Sequence, residues 1–164
     1  MEVRVARPGD GEGIARCHLD SAATYSAGAP SLFQMPDSDG YVEWIEDDLA
    51  RERGADELDI VAVVDGEIAG HVEARILEPI DSARWQQAIE HGERRVFVNA
   101  LAVASRWRRH GAGRALMEAI ESWARERGAT RVQLDTWIDS PLSVPFYESL
   151  GYARRAIRFE KRLL

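Results

Sequence analysis

The spacing of apolar residues predicts the secondary structure at the start of the chain. Val3 and Val5 alternate with Arg4 and Ala6, a period of two that indicates a short strand. Two helices are predicted next, the first after Asp10, a preferred N-cap residue, and the second ending before Gly54. Their apolar positions are Ile14 and Leu19, then Tyr41, Ile45 and Leu49. The segment 26–40 between them, rich in Gly, Pro, Ser and Asp, has the composition of a loop.

The middle of the chain has the pattern of a β-hairpin followed by a buried strand. Residues 60–64 and 68–76 are rich in β-branched residues and are separated by Asp65-Gly66, a pair that tolerates the positive backbone angles of a tight turn. Residues 96–103 are apolar except for Asn99, which favours a central strand buried on both faces. The polar stretch 78–95, with a short helix expected over 85–89, is interpreted as an insertion between strands.

A long amphipathic helix dominates the pattern of the C-terminal third. Apolar residues recur at spacings of three and four from Ala112 to Ala124, and Gly128 is positioned to end the helix. The remaining elements predicted are a strand over 132–137, a helix over 140–149 and a final strand over 152–159. This order of elements predicts an α/β domain with a mixed sheet.

Composition and charge narrow the classes of protein that fit. The chain has 164 residues, of which 45% are hydrophobic, enough for one compact domain spanning 1–164. A net charge of -7 argues against nucleic acid or an anionic membrane as the main partner. Cys17 is the single cysteine, so the chain forms no intramolecular disulfide and has no zinc ligand set. No apolar signal core or membrane-length run is present, and we expect a cytoplasmic protein.

A basic, glycine-containing segment, SRWRRHGAGRAL from Ser105 to Leu116, stands out in this acidic chain. It connects a predicted strand to a predicted helix, where free N–H groups and glycines can cradle phosphate oxygens. A nucleoside-triphosphatase P-loop needs Lys-Ser/Thr after the second glycine, where Arg114 and Ala115 stand. A dinucleotide fingerprint needs a third glycine at Leu116. The segment is therefore either a receptor for another polyphosphate or a solvated surface turn.

Two motifs resemble one family. Residues 108–113, Arg-Arg-His-Gly-Ala-Gly, match the Arg/Gln-x-x-Gly-x-Gly signature of the GNAT superfamily of N-acetyltransferases. Downstream, residues 145–152 resemble the family's second motif, an aromatic-Tyr-x-x-x-Gly-aromatic segment. The resemblance implies a GNAT-like α/β fold: a mixed, mostly antiparallel central sheet flanked by helices, with a splayed pair of central strands.

The resemblance also implies acetyl-coenzyme A as cosubstrate, with no metal. Its pyrophosphate would bind main-chain N–H groups and flanking charge in the basic loop, and its pantetheine arm would pair with the end of the central strand. The matching loop residues are Arg108, Arg109, His110, Gly111, Ala112, Gly113 and Arg114, and the matching strand residues are Leu101, Ala102 and Val103. Ser140 and Ser143 stand where many relatives contact the cofactor with Asn and Ala.

The implied reaction is attack of a neutral amine on the thioester carbonyl through a tetrahedral intermediate. Tyr147 matches the family's tyrosine that protonates or hydrogen-bonds the departing thiolate and also borders the cofactor, although an aromatic pair such as Phe146-Tyr147 commonly just closes a core. Many relatives carry a basic Glu where this chain has Asn99, which accepts no proton at neutral pH. Glu73 or His71, on one strand face, is the alternative base.

Several alternatives stay open at this level. The face that carries Glu73 is either part of a catalytic cleft or ordinary solvated surface, and water alone is a further candidate for removing the proton. Asp135 is either a buried functional carboxylate or merely hydrogen-bonded to its neighbours. The acidic segment 43–59 favours a cationic amine as acceptor, unless it is simply a solvated helix face. A non-catalytic coenzyme A-binding module is the rival function, and the resemblance leaves a homodimer open.

Overall fold

The protein is described here from a computed structural model that covers residues 1–161 and 163. Residues 1–134 form one compact unit, and the chain from Asp135 onward forms a second. The first unit contains β1 Glu2–Val5, α1 Gly11–Gly28, α2 Tyr41–Ala50, β2 Glu57–Val64, β3 Glu67–Leu77, β4 Arg95–Val103, α3 Ala112–Glu126 and β5 Arg131–Leu134. The second contains α4 Ser143–Ser149. No helix among the described residues has the length and apolar character needed to cross a bilayer.

The five strands form one sheet in the order β1-β2-β3-β4-β5. Neighbouring strands are antiparallel except for β4 and β5, which are parallel because α3 connects them. The hairpin predicted at Asp65-Gly66 is confirmed, and both turn residues have positive φ, 51° and 81°. The mixed, mostly antiparallel α/β fold predicted from the sequence is thus confirmed.

Helices cover both faces of this sheet. On one face Ile14 of α1 and Ile45 of α2 join Val61 of β2 in a buried cluster. On the other face α3 buries Leu116 so closely against Gly70 of β3 that a Cβ there would lie 3.0 Å from the leucine side chain. The amphipathic patterns of the three long helices therefore correspond to the surfaces that they bury.

The N-terminus of α1 is held differently from the prediction. Asp10 occupies the N-cap position, but its side chain makes no cap bond and instead receives two hydrogen bonds from Arg4, at 2.6 and 2.7 Å. Glu46 of α2 accepts the N–H groups of Gly9 and Gly11, at 2.8 and 2.6 Å. The helix start is therefore stabilised by a carboxylate from a neighbouring helix, which also ties α1 to α2.

Several predicted boundaries differ from the structure. The helix α1 continues to Gly28, into the predicted loop, and the strand expected over 132–137 ends at Leu134. The helix expected over 140–149 begins at Ser143, and the insertion 78–95 contains two short 3-10 helices, Ala83–Trp85 and Ile89–Gly92.

The final strand predicted over 152–159 is wrong. Residues 152–161 form no helix or strand in the structure. Alternating apolar residues indicate which faces a strand would have, but a strand also needs a neighbouring backbone to complete its hydrogen-bond ladder.

Candidate active site

A β-bulge in the middle of β4 determines the geometry of the central sheet. Glu73 of β3 pairs with Ala100 and the next residue, Ala74, pairs with Val98, so that Asn99 is an extra residue on β4. A bulge bends the strand and increases its twist. The β4–β5 ladder ends at the Val98–Leu134 pair, immediately before this residue. The splayed pair of central strands predicted from the family resemblance is thus β4 and β5.

The C-terminal half of β4 consequently has an open edge within residues 1–134. Asn99 to Val103 pair with β3 on one side, but no register pair joins them to β5 on the other. Leu101 and Val103 are half-buried, whereas Ala102 is buried. Backbone groups on such an edge are available to an extended ligand that carries amides.

The loop after β4 leads directly into the N-terminus of α3. Arg109 and Gly111 both have positive φ, 63° and 89°, and Gly111 is the N-cap residue of α3. No side chain caps this helix, so the first-turn N–H groups of Ala112, Gly113 and Arg114 have no intrahelical acceptor and no cap. These groups and the positive end of the helix dipole form a site suited to an anion.

The charged side chains of this loop divide into two groups. Arg109, His110 and Arg114 are exposed. Arg108 is half-buried and donates to the carbonyl of Val103 at 3.2 Å, to Thr24 Oγ1 at 3.0 Å and to the Asp20 carbonyl at 3.0 Å. Arg108 therefore fastens the loop to β4 and α1, while the three exposed side chains supply positive charge beside the helix terminus.

The other predicted cofactor and acid residues belong to the second unit. Ser140 is 4% exposed, and its Oγ accepts the N–H of half-buried Ser143 at 3.1 Å, at the start of α4. Tyr147 of α4 is half-buried and makes edge contacts with Phe146 and Tyr152 at centroid distances of 5.1 and 5.9 Å. Within this unit Tyr147 is thus fixed by two aromatic neighbours.

Asp135 also belongs to the second unit, and it is exposed. Its carboxylate pairs with Arg158 at 3.1 Å, so it is not the buried carboxylate that was one alternative.

A carboxylate lies beside Asn99. Glu73 is half-buried on β3, and its Oε1 accepts a hydrogen bond from Asn99 Nδ2 at 2.9 Å. Across the sheet it pairs in register with Asp59 of β2. Asn99, the bulge residue, has no group that accepts a proton, but its amide orients the carboxylate of Glu73 on the neighbouring strand.

His71, two residues before Glu73, is not on a solvated face. It is 4% exposed, and its register partner on β4 is Ala102. Its Nε2 lies 2.5 Å from Asp59 Oδ1, and its Nδ1 lies 2.9 Å from Nε2 of His18 on α1. The His18 Nδ1 lies 3.1 Å from the hydroxyl of Tyr41 on α2. We call Tyr41, His18, His71 and Asp59 the imidazole chain.

The inner and outer ends of the imidazole chain differ. Asp59, 3% exposed, also contacts the guanidinium of Arg53, whereas Tyr41 is half-buried and stacks on Trp44 at a centroid distance of 5.8 Å. Burial and the nearby His71 lower the pKa of His18 to about 4, so this imidazole is neutral at pH 7. The arrangement connects a buried carboxylate of β2 to a half-buried tyrosine of α2 through two imidazoles.

Three members of the imidazole chain were not predicted from the sequence. His18, Tyr41 and Asp59 come from three different elements, and their pairing depends on tertiary contacts. The available signals were Asp59, which opens an otherwise apolar strand run, and His18, which follows Ile14 by four residues and so shares its face of the predicted helix.

Comparison with known proteins adds independent information about this site. The family model described as "Acetyltransferase (GNAT) family" matches residues 24–152, which include the loop 108–114 and Tyr147. The chain is 31% identical to streptothricin acetyltransferase of Streptomyces lavendulae, covering 93% of this chain and 81% of that protein. It is 26% identical to aminoglycoside N(6')-acetyltransferase type 1 of Stenotrophomonas maltophilia, covering 71% of each chain.

Solved structures share the fold. A mutant of the BH1408 protein from Bacillus halodurans superposes with a TM-score of 0.82 at 21% identity, covering all of both chains. An aminoglycoside acetyltransferase from an uncultured soil metagenomic sample, crystallised with sisomicin, superposes with a TM-score of 0.64 at 17% identity, covering 99% of this chain and 96% of that one.

Proposed function

Because the chain belongs to the GNAT family of acetyltransferases, we propose that it transfers an acetyl group from acetyl-coenzyme A to a primary amine of a small molecule or peptide. The observation that carries this proposal is the open edge of β4, which continues into an uncapped helix N-terminus. The first feature suits the amides of an extended arm and the second suits a diphosphate.

Acetyl-coenzyme A would be held at these two places. The N–H groups at the start of α3 would bind the pyrophosphate, with charge from Arg109, His110 and Arg114. Leu101 to Val103 would pair with the pantetheine arm. Ser140 and Ser143, which match positions where relatives contact the cofactor, are proposed as further contacts. When bound, the cosubstrate supplies an acetyl group activated as a thioester.

A cationic acceptor is favoured by the surface of α2. Glu43 and Asp47 are exposed on this helix, and Trp44 between them is 63% exposed. Carboxylates attract an ammonium group, and an indole face adds a cation–π contact. Two of the relatives are by name acetyltransferases of streptothricin and of aminoglycosides, which is consistent with an amine acceptor.

Proton transfers are assigned to two residues. We propose that Glu73, held by Asn99, takes the first proton from the bound ammonium, because only a neutral amine can attack a carbonyl. We propose that Tyr147 protonates the departing thiolate and also borders the cosubstrate. Holding both substrates side by side supplies the rest of the rate enhancement.

Release of free thiol tests this function. Pure protein incubated with acetyl-coenzyme A and a panel of cationic amines is expected to release thiol in an acceptor-dependent manner. In Tyr147→Phe the turnover number is expected to fall about 100-fold, whereas coenzyme A binding measured by calorimetry persists. Binding of the cosubstrate without turnover on any amine would instead support a non-catalytic coenzyme A-binding module.

A further inference from the structure

The imidazole chain has a defined direction when its two histidines are neutral. Asp59 also contacts Arg53, as a carboxylate does, and a carboxylate only accepts hydrogen bonds, so Nε2 of His71 must donate to it. The Nδ1 of His71 is then the acceptor for His18 Nε2–H, and His18 Nδ1 is the acceptor for the Tyr41 hydroxyl. Every donor therefore points toward Asp59. At the other end of the imidazole chain, the lone pairs of the Tyr41 oxygen can accept a hydrogen bond.

One added proton reverses the outer half of the imidazole chain. With an imidazolium at His71, both ring nitrogens of His71 donate, one to Asp59 and one to His18 Nε2. His18 then carries its proton on Nδ1 and donates to the Tyr41 oxygen, whose O–H turns outward. The charge at His71 lies against the Asp59 carboxylate, which stabilises it. The imidazole chain can thus take up a proton at Tyr41 and store it at His71, which is 4% exposed.

One member of the imidazole chain, His71, lies on the strand that pairs with the open half of β4. His71 pairs in register with Ala102, one of the strand residues proposed to hold the cosubstrate, and Glu73 pairs with Ala100. Residues two apart on a strand share a face, so His71 and Glu73 lie on one side of the sheet, about 7 Å apart along β3. Two different proton acceptors therefore lie on the same face next to the bulge.

The amine nitrogen loses two protons in the proposed reaction, and the departing thiolate takes up one. A primary amine arrives as an ammonium ion and loses one proton to become nucleophilic. When its nitrogen forms the amide C–N bond it becomes cationic again and loses a second proton. The C–S bond breaks, and the sulfur leaves as a thiolate that receives a proton from Tyr147. The Tyr147 phenolate then regains a proton from water, so that one proton is released overall. Glu73 accounts for the first proton only.

We propose that the imidazole chain is the acceptor of the second proton, which enters at the Tyr41 hydroxyl, passes through His18 and rests on His71 beside Asp59. This assignment rests on the proposed function. It makes Tyr41 a catalytic residue that touches the amine, and His18, His71 and Asp59 residues that act through it. After the amide product departs, the proton leaves by the same route, and the two imidazoles become neutral again.

The groups around the imidazole chain are consistent with this role. Arg53 faces Asp59 and is itself bound by Asp48 of α2 at 2.8 Å, so a guanidinium lies beside the inner carboxylate. Glu73 supplies negative charge from β3, and the β4 residues paired with His71 and Glu73 are alanines without charge. On α1, burial raises the pKa of Cys17 to about 11, which keeps that thiol neutral. Among the described residues, no three His, Cys, Asp or Glu side chains are grouped so that they could hold a metal ion.

Imidazole nitrogen NMR of the full-length protein tests the imidazole chain without any substrate. At neutral pH we expect Nε2 protonated and Nδ1 unprotonated in both His18 and His71. A proton on Nδ1 of either ring at neutral pH would overturn the proposal.

The pH dependence of turnover tests the catalytic role. In Tyr41→Phe we expect the turnover number to fall 10- to 100-fold with KM for the amine changed less than threefold. The rate of the variant should depend more steeply on pH than the wild-type rate, because hydroxide must take the proton where Tyr41 cannot relay it. Tyr25→Phe is the matched control and should keep the wild-type profile.

The outcomes separate this inference from the function on which it rests. Wild-type turnover with an unchanged pH profile in Tyr41→Phe, together with loss of turnover in Glu73→Gln, would overturn the role of the imidazole chain alone. Absence of wild-type turnover on every amine would overturn the proposed function and with it the catalytic role of the imidazole chain, whatever the NMR experiment shows.

Discussion

Adjacent arginines in the loop before α3 have different environments although they look alike in the sequence. Arg108 makes three hydrogen bonds to backbone and side-chain oxygens of β4 and α1. Arg109, with a positive φ of 63°, is exposed. The first side chain fixes the loop that presents the N–H groups, and the second is free to meet an incoming anion.

Replacing each of these arginines by alanine should separate the two roles. Arg108→Ala is expected to lower the free energy of unfolding by about 2 kcal/mol, because hydrogen bonds from a charged group to half-buried acceptors are lost. Arg109→Ala should change it by less than about 0.5 kcal/mol while weakening coenzyme A binding. Urea denaturation and calorimetry measure the two effects, and equal stabilities of the two variants would contradict this account.

At the scale of elements, α3 has glycines with positive φ at both ends. Gly111, at the N-cap, has a φ of 89°, and Gly128, just past the C-terminus, has a φ of 71°. A Cβ at either position meets no atom closer than 3.9 Å, so the cost of a side chain there is conformational rather than steric crowding by neighbours. The two ends of one helix therefore provide a matched pair of substitutions.

Gly111→Ala and Gly128→Ala are expected to destabilise the protein equally, by about 1–2 kcal/mol each, because an L-residue is forced into the left-handed region. Gly111→Ala alone should weaken coenzyme A binding, since it disturbs the N–H groups at the start of α3. Thermal unfolding with calorimetry checks both effects. A similar loss of affinity in Gly128→Ala would show that the effect is global, not local to the anion site.

For the whole molecule, buried titratable groups couple folding to pH. Burial acts to raise the pKa of Asp10, but the hydrogen bonds from Arg4 and from the Arg7 N–H together outweigh burial. The pKa of Asp10 therefore lies below its ordinary value. Its stabilisation is present above the unfolded-state pKa and is lost as the pH falls through the folded value. The pKa of His18, about 4, is also below the unfolded value of about 6.5.

The stability of the protein should therefore decline on acidification well before the carboxylates titrate. Between about pH 6.5 and 4 the unfolded chain binds a proton at His18 that the folded chain excludes, a difference on the order of 3 kcal/mol. Urea denaturation across this range should show the decline, and His18→Gln should reduce its slope. His110→Gln, at an exposed position, should not change the slope.

Much of the fold could be predicted from local patterns. The Asp65-Gly66 turn, the strand through Val103 and the helix beginning at Ala112 follow from turn chemistry and periodicity within about 15 residues, and they are confirmed. The strand predicted over 152–159 is wrong because strand formation depends on a partner, and alternation along one segment carries no information about one.

The candidate site was accessible from the sequence only where its residues are contiguous. The loop from Arg108 to Arg114 is a local motif, so its residues alone identified it. The bulge at Asn99 depends on the register between two strands, and the imidazole chain depends on four elements meeting at one place. Sequence thus determined most of the elements and the place of the basic, glycine-containing loop, whereas tertiary structure decided which distant polar groups share a hydrogen bond, because such pairing is set by packing.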